Sequence, residues 1–252
     1  MINPMELNNR TILVTGASSG IGRETAILLS QLGARLILVG RNPEQLEKTL
    51  TLLEGGSHVV NPFDLIDVEA IPSWMKTIVS DFGPLNGLVH SAGMQFTMPL
   101  RLTTSDIMED LMRVNVTAAL SLAKGFRQRG VSTAGSSVVF LSSVMGIVGQ
   151  AGQSVYSASK GALVALTKSL ALELTRDDIR VNCVAPAVVN TEMSEKMLQS
   201  LTPAQITQIE AMHPLGIGHP RDVANAIAFL LADTSRWITG TTLVVDGGYT
   251  AH

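Results

Sequence analysis

Two periodicities alternate along the chain. Short runs of β-branched and aliphatic residues recur at 11–15, 35–39, 58–61, 87–90, 137–141, 180–184 and 242–245, and they predict seven strands. Between the first two, Ile21, Thr25, Leu28, Leu29 and Leu32 follow i, i+4, i+7, i+8, i+11, the stripe of a helix laid on a sheet. Further helical stretches are read at 43–54, 68–81, 104–129, 154–175 and 220–232. Alternation of this kind predicts an α/β fold: a Rossmann-like, doubly wound, parallel seven-stranded sheet with helices on both faces.

One segment breaks the rhythm. Residues 187–219 are too long for an ordinary connection, and they mix Met193, Met197, Leu198, Ile206, Ile209 and Met212 with polar positions. Long excursions are usually functional lids, and flexible methionines suit a surface that repacks on an apolar ligand. An interface or plain surface helices is the other reading. With no linker, repeat or low-complexity tract, 1–252 reads as a single domain carrying a substrate lid at about 187–219.

Composition narrows the function. The 252 residues are 46% hydrophobic, enough to bury a core, and Lys+Arg 18 against Asp+Glu 21 leaves no basic excess for a nucleic-acid partner. The start of the chain has no basic stretch followed by an apolar run, and no segment approaches 18 consecutive apolar residues. A cytoplasmic protein with no membrane partner is therefore expected. Cys183 stands alone in an apolar run and reads as a buried thiol, and the five scattered histidines show no ligand spacing, so no metal site is expected.

The first chemistry lies between the first strand and the first helix. Thr15-Gly16-Ala17-Ser18-Ser19-Gly20-Ile21-Gly22 puts glycines where a backbone must turn tightly and approach a pyrophosphate, with free N–H groups at the helix start. Gly16, Ser18, Ser19, Gly20, Ile21 and Gly22 are thus candidate cofactor contacts. A carboxylate at the end of the second strand would bind the ribose 2′-hydroxyl of NAD, but the stretch reads Val39-Gly40-Arg41-Asn42. Arg41, with Asn42 beside it, fits a 2′-phosphate, so NADP(H) is preferred over NAD(H). Asp64 and Leu65, after the third strand, are candidates for the adenine edge.

The reacting pair is Tyr156 and Lys160, four apart on one helix face. A free phenol ionises at about pH 10, and a nearby cation shifts a pKa by about 1–3 units. Lys160 is therefore expected to supply much of the tuning of Tyr156, and oxidised nicotinamide the remainder. Ser143 ends the fifth strand, and Ser91, Ala92 and Gly93 follow the fourth. Ligands of an open α/β sheet bind beyond such carboxyl ends, so these pieces converge. The Ser143 hydroxyl there is suited to hold a carbonyl oxygen while the phenol protonates it.

These motifs resemble those of the short-chain dehydrogenase/reductase family over essentially the whole chain, and within it the 3-oxoacyl-acyl-carrier-protein reductases. The family's pattern also falls on Asn115, on Pro186 with Thr191, and on Val245-Asp246-Gly247-Gly248. The resemblance implies that Tyr156 is the acid/base and that Ser143 positions the substrate oxygen. Lys160 would bind nicotinamide ribose and tune Tyr156, and Asn115 would hold a relay water. It adds Pro186, Val189 and Thr191, with Tyr156 and Lys160, to the cofactor contacts, and it implies a homotetramer.

Two departures stand out: His90-Ser91 where the family often has Asn-Asn, and Ala187 where it usually has glycine. The implied reaction interconverts a ketone and a secondary alcohol, on a small-molecule or acyl-carrier-bound carbonyl substrate. An NAD-dependent secondary alcohol dehydrogenase and a non-catalytic dinucleotide-binding regulator are the alternatives.

Overall fold

The computed structural model describes residues 3–199 and 201–251. Seven strands form one sheet in the order β3-β2-β1-β4-β5-β6-β7. They are β1 (Thr11–Thr15), β2 (Arg35–Gly40), β3 (Val59–Pro62), β4 (Leu85–His90), β5 (Ser132–Leu141), β6 (Ile179–Pro186) and β7 (Thr242–Val245). Every neighbouring pair is parallel. The strand order reverses between β1 and β4, which opens a crevice at their carboxyl ends.

Side chains alternate between two cores, as the period of a strand requires. Leu13, Ile37, Val39, Val138 and Phe140 face one core, which is closed by α3 (Ile71–Phe82), α5 (Ala118–Phe126) and α6 (Ser154–Leu174). Ile12, Val14, Leu36, Leu38 and Val139 face the other, closed by α1 (Gly20–Gln31) and α9 (Pro220–Leu231). Burial on both faces is why the strands read as unbroken apolar runs rather than alternating ones. Cys183 lies within the first core. No helix among the described residues is long and apolar enough to cross a membrane.

Boundaries moved where local chemistry overrode periodicity. Pro72 sits in the first turn of α3, a position it favours, so that helix starts at Ile71 rather than 68. Asn42 caps α2 (Pro43–Leu50), which stops short of the glycines at 55 and 56. The single helix expected over 104–129 is instead α4 (Ser105–Met112), a π-turn at Arg113–Thr117, and α5. The expected lid contains α7 (Glu192–Leu198) and α8 (Pro203–Ala211), each opened by a capping box on Thr191 or Thr202. A bridge between Val189 and Gly218 ties the two ends of this excursion together.

Candidate active site

The turn after β1 is built for close backbone approach. Gly16 has φ +68°, and a Cβ there would stand 2.7 Å from the Ala92 nitrogen. A Cβ on Gly22 would stand 2.1 Å from the Gly16 carbonyl oxygen. Thr15 stitches the two edges of the crevice, because its Oγ1 accepts from the Ala92 N–H at 3.2 Å and lies 3.0 Å from His90 Nδ1. The glycines therefore leave a smooth cradle at the start of α1, of the shape a pyrophosphate requires.

A cavity of about 480 Å³ runs along this edge, within the range of small-molecule and cofactor sites. Arg41, Asp64 and Leu65 line one end, the glycine-rich turn and Ser91–Gly93 the middle, and Ser143, Tyr156 and Lys160 the other end. Pro186, Val189 and Thr191 lie on the lid side. Of the catalytic and cofactor-contact candidates, Asn42 and Asn115 alone are off the wall. Asn42 Oδ1 accepts from the Gln45 N–H at 3.1 Å, so that side chain is spent on capping α2.

Asn115 is wholly buried behind the wall, in the π-turn. Its amide donates to the Met94 carbonyl at 3.0 Å and to Ser159 Oγ at 3.0 Å, and its oxygen accepts from the Met94 N–H at 2.8 Å. Ser159 in turn donates to the Tyr156 carbonyl at 2.8 Å. Both amide protons and the amide oxygen are thus engaged within the protein. The side chain links the loop after β4 to the first turns of α6.

At the reacting end, Ser143 Oγ accepts from the Met145 N–H at 3.2 Å and donates to the Pro186 carbonyl at 3.4 Å, and it shares the cavity wall with Tyr156. Removal from water pushes the Tyr156 pKa up to about 12, against the Ser143 hydrogen bond, which pulls it down. Lys160 Nζ donates to the Leu141 carbonyl at 2.8 Å and lies 5.7 Å from the centre of the Tyr156 ring. Burial pulls the Lys160 pKa down to about 8, opposed by Cys183. Burial thus acts against the expected tuning of the Tyr156 phenol by Lys160. Desolvation is the leading influence on both groups, raising the Tyr156 pKa and lowering that of Lys160.

His90, the departure from the family pattern, sits behind this end. Burial first, then the Lys160 charge, holds its pKa down at about 3, against an opposing contribution from the Asn115 backbone. The imidazole is neutral, so no second cation competes with Lys160. The lid side of the cavity is apolar, with Met193, Met197, Leu201, Ile209 and Met212 along it. Gln150, Gln153 and Tyr249 also line the wall, and the sequence pattern does not single them out. Gln153 had a readable signal, three residues before Tyr156, whereas Tyr249 reaches the site only because Gly247 and Gly248 fold back over Leu215 and Pro214.

Known proteins match this arrangement. Residues 16–250 match the family model described as enoyl-(acyl carrier protein) reductase. A 3-oxoacyl-acyl-carrier-protein reductase of Thermotoga maritima is 33% identical, with 97% of this chain and 99% of that one covered. Carbonyl reductase family member 4 of Danio rerio is 36% identical, over 95% and 98% of the two chains. Among solved structures, a dehydrogenase/reductase from Sinorhizobium meliloti superposes with a TM-score of 0.90 at 31% identity, covering 98% of this chain and 97% of the other. A cradle for a dinucleotide, a tyrosine, serine and lysine at its far end, and likeness along nearly the whole chain have one meaning: the chain belongs to the short-chain dehydrogenase/reductase family, enzymes that act on CH–OH and C=O groups with a nicotinamide dinucleotide.

Proposed function

We propose that the protein is an NADP(H)-dependent ketoreductase acting on a 3-oxoacyl or similar secondary carbonyl. The observation that carries this reading is the convergence of Tyr156, Ser143 and Lys160 on one end of a cavity whose other wall is the glycine-rich turn. A phenol placed there can give a proton to a carbonyl oxygen as hydride arrives at the adjoining carbon.

The bound cofactor supplies the hydride. The glycine cradle from Gly16 to Gly22 is suited to hold its pyrophosphate. Exposed Arg41, beside Gly40 in place of an acid, favours a 2′-phosphate. Tyr156 gives its proton to the carbonyl oxygen while Ser143 orients that oxygen. Lys160 holds the ribose side and restores the proton, and Asn115 keeps the Met94 turn and the start of α6 in register.

The substrate class rests on the lid and on the relatives. An acyl chain or another apolar ketone suits the Met193, Met197 and Met212 wall, and the Thermotoga maritima relative bears the name of a 3-oxoacyl reductase. Assembly as a homotetramer fits the 95% exposure of Trp237 and the 80% exposure of Leu172, large apolar side chains that a monomer leaves in water. Sedimentation checks it.

The deciding experiment is Tyr156→Phe, assayed by NADPH oxidation across a panel of 3-oxoacyl thioesters and simple ketones. Turnover is expected to disappear while NADPH binding, followed by its fluorescence, persists. Substantial turnover in the variant rejects the assigned role.

A further inference from the structure

A carboxylate on the lid bonds to the phosphate cradle. Glu192, the first residue of α7, accepts from the Gly20 N–H through Oε2 at 3.0 Å and from Arg23 Nη1 through Oε1 at 3.1 Å. Thr191, just before it, packs so closely that a Cβ on Gly20 would lie 3.2 Å from Thr191 Cγ2. Arg23 is itself braced from α2, donating to Thr49 Oγ1 at 3.3 Å and to Gln45 Oε1 at 3.5 Å, and it also donates to the Ser18 carbonyl. The helix carrying Met193 and Met197 onto the cavity is thus pinned at its first turn to the glycine-rich turn across the cleft.

We propose that Glu192 is a latch, a positioning residue that holds the lid against the cradle and sets the rate at which the dinucleotide leaves. The inference rests on the dinucleotide reading of the cleft. Any cofactor lying between the glycine turn and residues 186–193 is enclosed while the latch holds, and release requires both contacts to break. A carboxylate beside a bound pyrophosphate repels it unless a cation intervenes, and Arg23 is that cation. The pair therefore acts as a unit. Loss of Glu192 frees the lid, whereas loss of Arg23 leaves an uncompensated negative charge against the phosphate.

Stopped-flow displacement of NADPH, followed by its fluorescence, reads the release rate directly. Glu192→Ala is expected to release NADPH roughly tenfold faster, with single-turnover reduction changed less than twofold. Arg23→Met is expected to weaken NADPH binding more than Glu192→Ala does, and the double variant to return to the level of Glu192→Ala alone. Hydrogen exchange of the cofactor-free protein gives a second readout, in which Glu192→Ala raises exchange across α7 and leaves the core strands unchanged. Unchanged release and exchange, additive effects in the double variant, or tighter NADPH binding by Glu192→Ala each overturn the latch. Failure of the wild-type protein to bind NADPH overturns the dinucleotide reading instead, while exchange across α7 still reports on the latch.

Discussion

Gly146 lies flat against the peptide that joins Lys160 to Gly161. A Cβ on Gly146 would stand 2.6 Å from the Lys160 carbonyl carbon and 2.7 Å from the Gly161 nitrogen, with backbone on the far side of the contact. Ser142 Oγ donates to the Lys160 carbonyl at 2.7 Å alongside it. The spacing between Ser143 and the Tyr156–Lys160 face is therefore set by two glycines in contact, and not by the side chains that react.

Gly146→Ala is consequently expected to push the turn off α6. Overpacking of this kind costs about 1–3 kcal/mol, and a displacement of about 1 Å between reacting groups costs up to about 100-fold in rate. A thermal melt and kcat measured on the same sample check this. A variant with both unchanged would mean the turn yields without moving Ser143.

The pH profile of reduction tests the lysine. Tyr156 stays protonated to about pH 12, so it imposes no limit in the working range. Lys160 loses its charge above about pH 8. If its ammonium is needed, kcat/KM for the ketone is level below that point and falls about tenfold per pH unit above it. A profile flat to pH 10 would show that the charge is dispensable.

His90 makes a stability prediction of definite sign. Its folded pKa is lowered to about 3 from an ordinary 6.5, so between those values the unfolded chain binds a proton that the folded protein does not. Stability therefore rises with pH across that window and falls as the solution is acidified. His90 alone accounts for a loss of about 2 kcal/mol between pH 7 and 5. In His90→Asn, denaturant unfolding at the two pH values is expected to differ by that much less. An identical pH dependence in both proteins would place the acid sensitivity elsewhere.

Arg41→Ala tests the choice of cofactor. Loss of a charge-assisted contact to a 2′-phosphate is worth about tenfold or more, so the ratio of kcat/KM with NADPH to that with NADH is expected to fall by that factor, with the NADH value unchanged. A constant ratio would make Arg41 a solvated surface charge.

The legible parts of the site were local. The glycine-rich turn announces itself because its glycines, its strand and its helix are adjacent in the chain. Tyr156 and Lys160 announce themselves because a helix puts i and i+4 on one face. Boundaries were less legible, since Pro72 and the glycines after α2 act through single positions that periodicity averages over. The lid helices carry a local signal of their own, since Thr191 with Ser194 and Thr202 with Gln205 are the spacings of capping boxes.

Alternation of apolar runs and helical stripes was enough to determine a parallel sheet with two covered faces and a nucleotide crevice at its carboxyl edge, because burial on both sides of a strand leaves its mark in every residue of that strand. Tertiary structure alone decided the rest. It made Asn115 a brace for the Met94 loop through a π-turn that no periodicity encodes, it raised the Tyr156 pKa by desolvation, and it joined Glu192 to Gly20 across 172 residues of chain. Each of these depends on what lies nearby in space but far away in sequence, and local pattern carries no record of such neighbours.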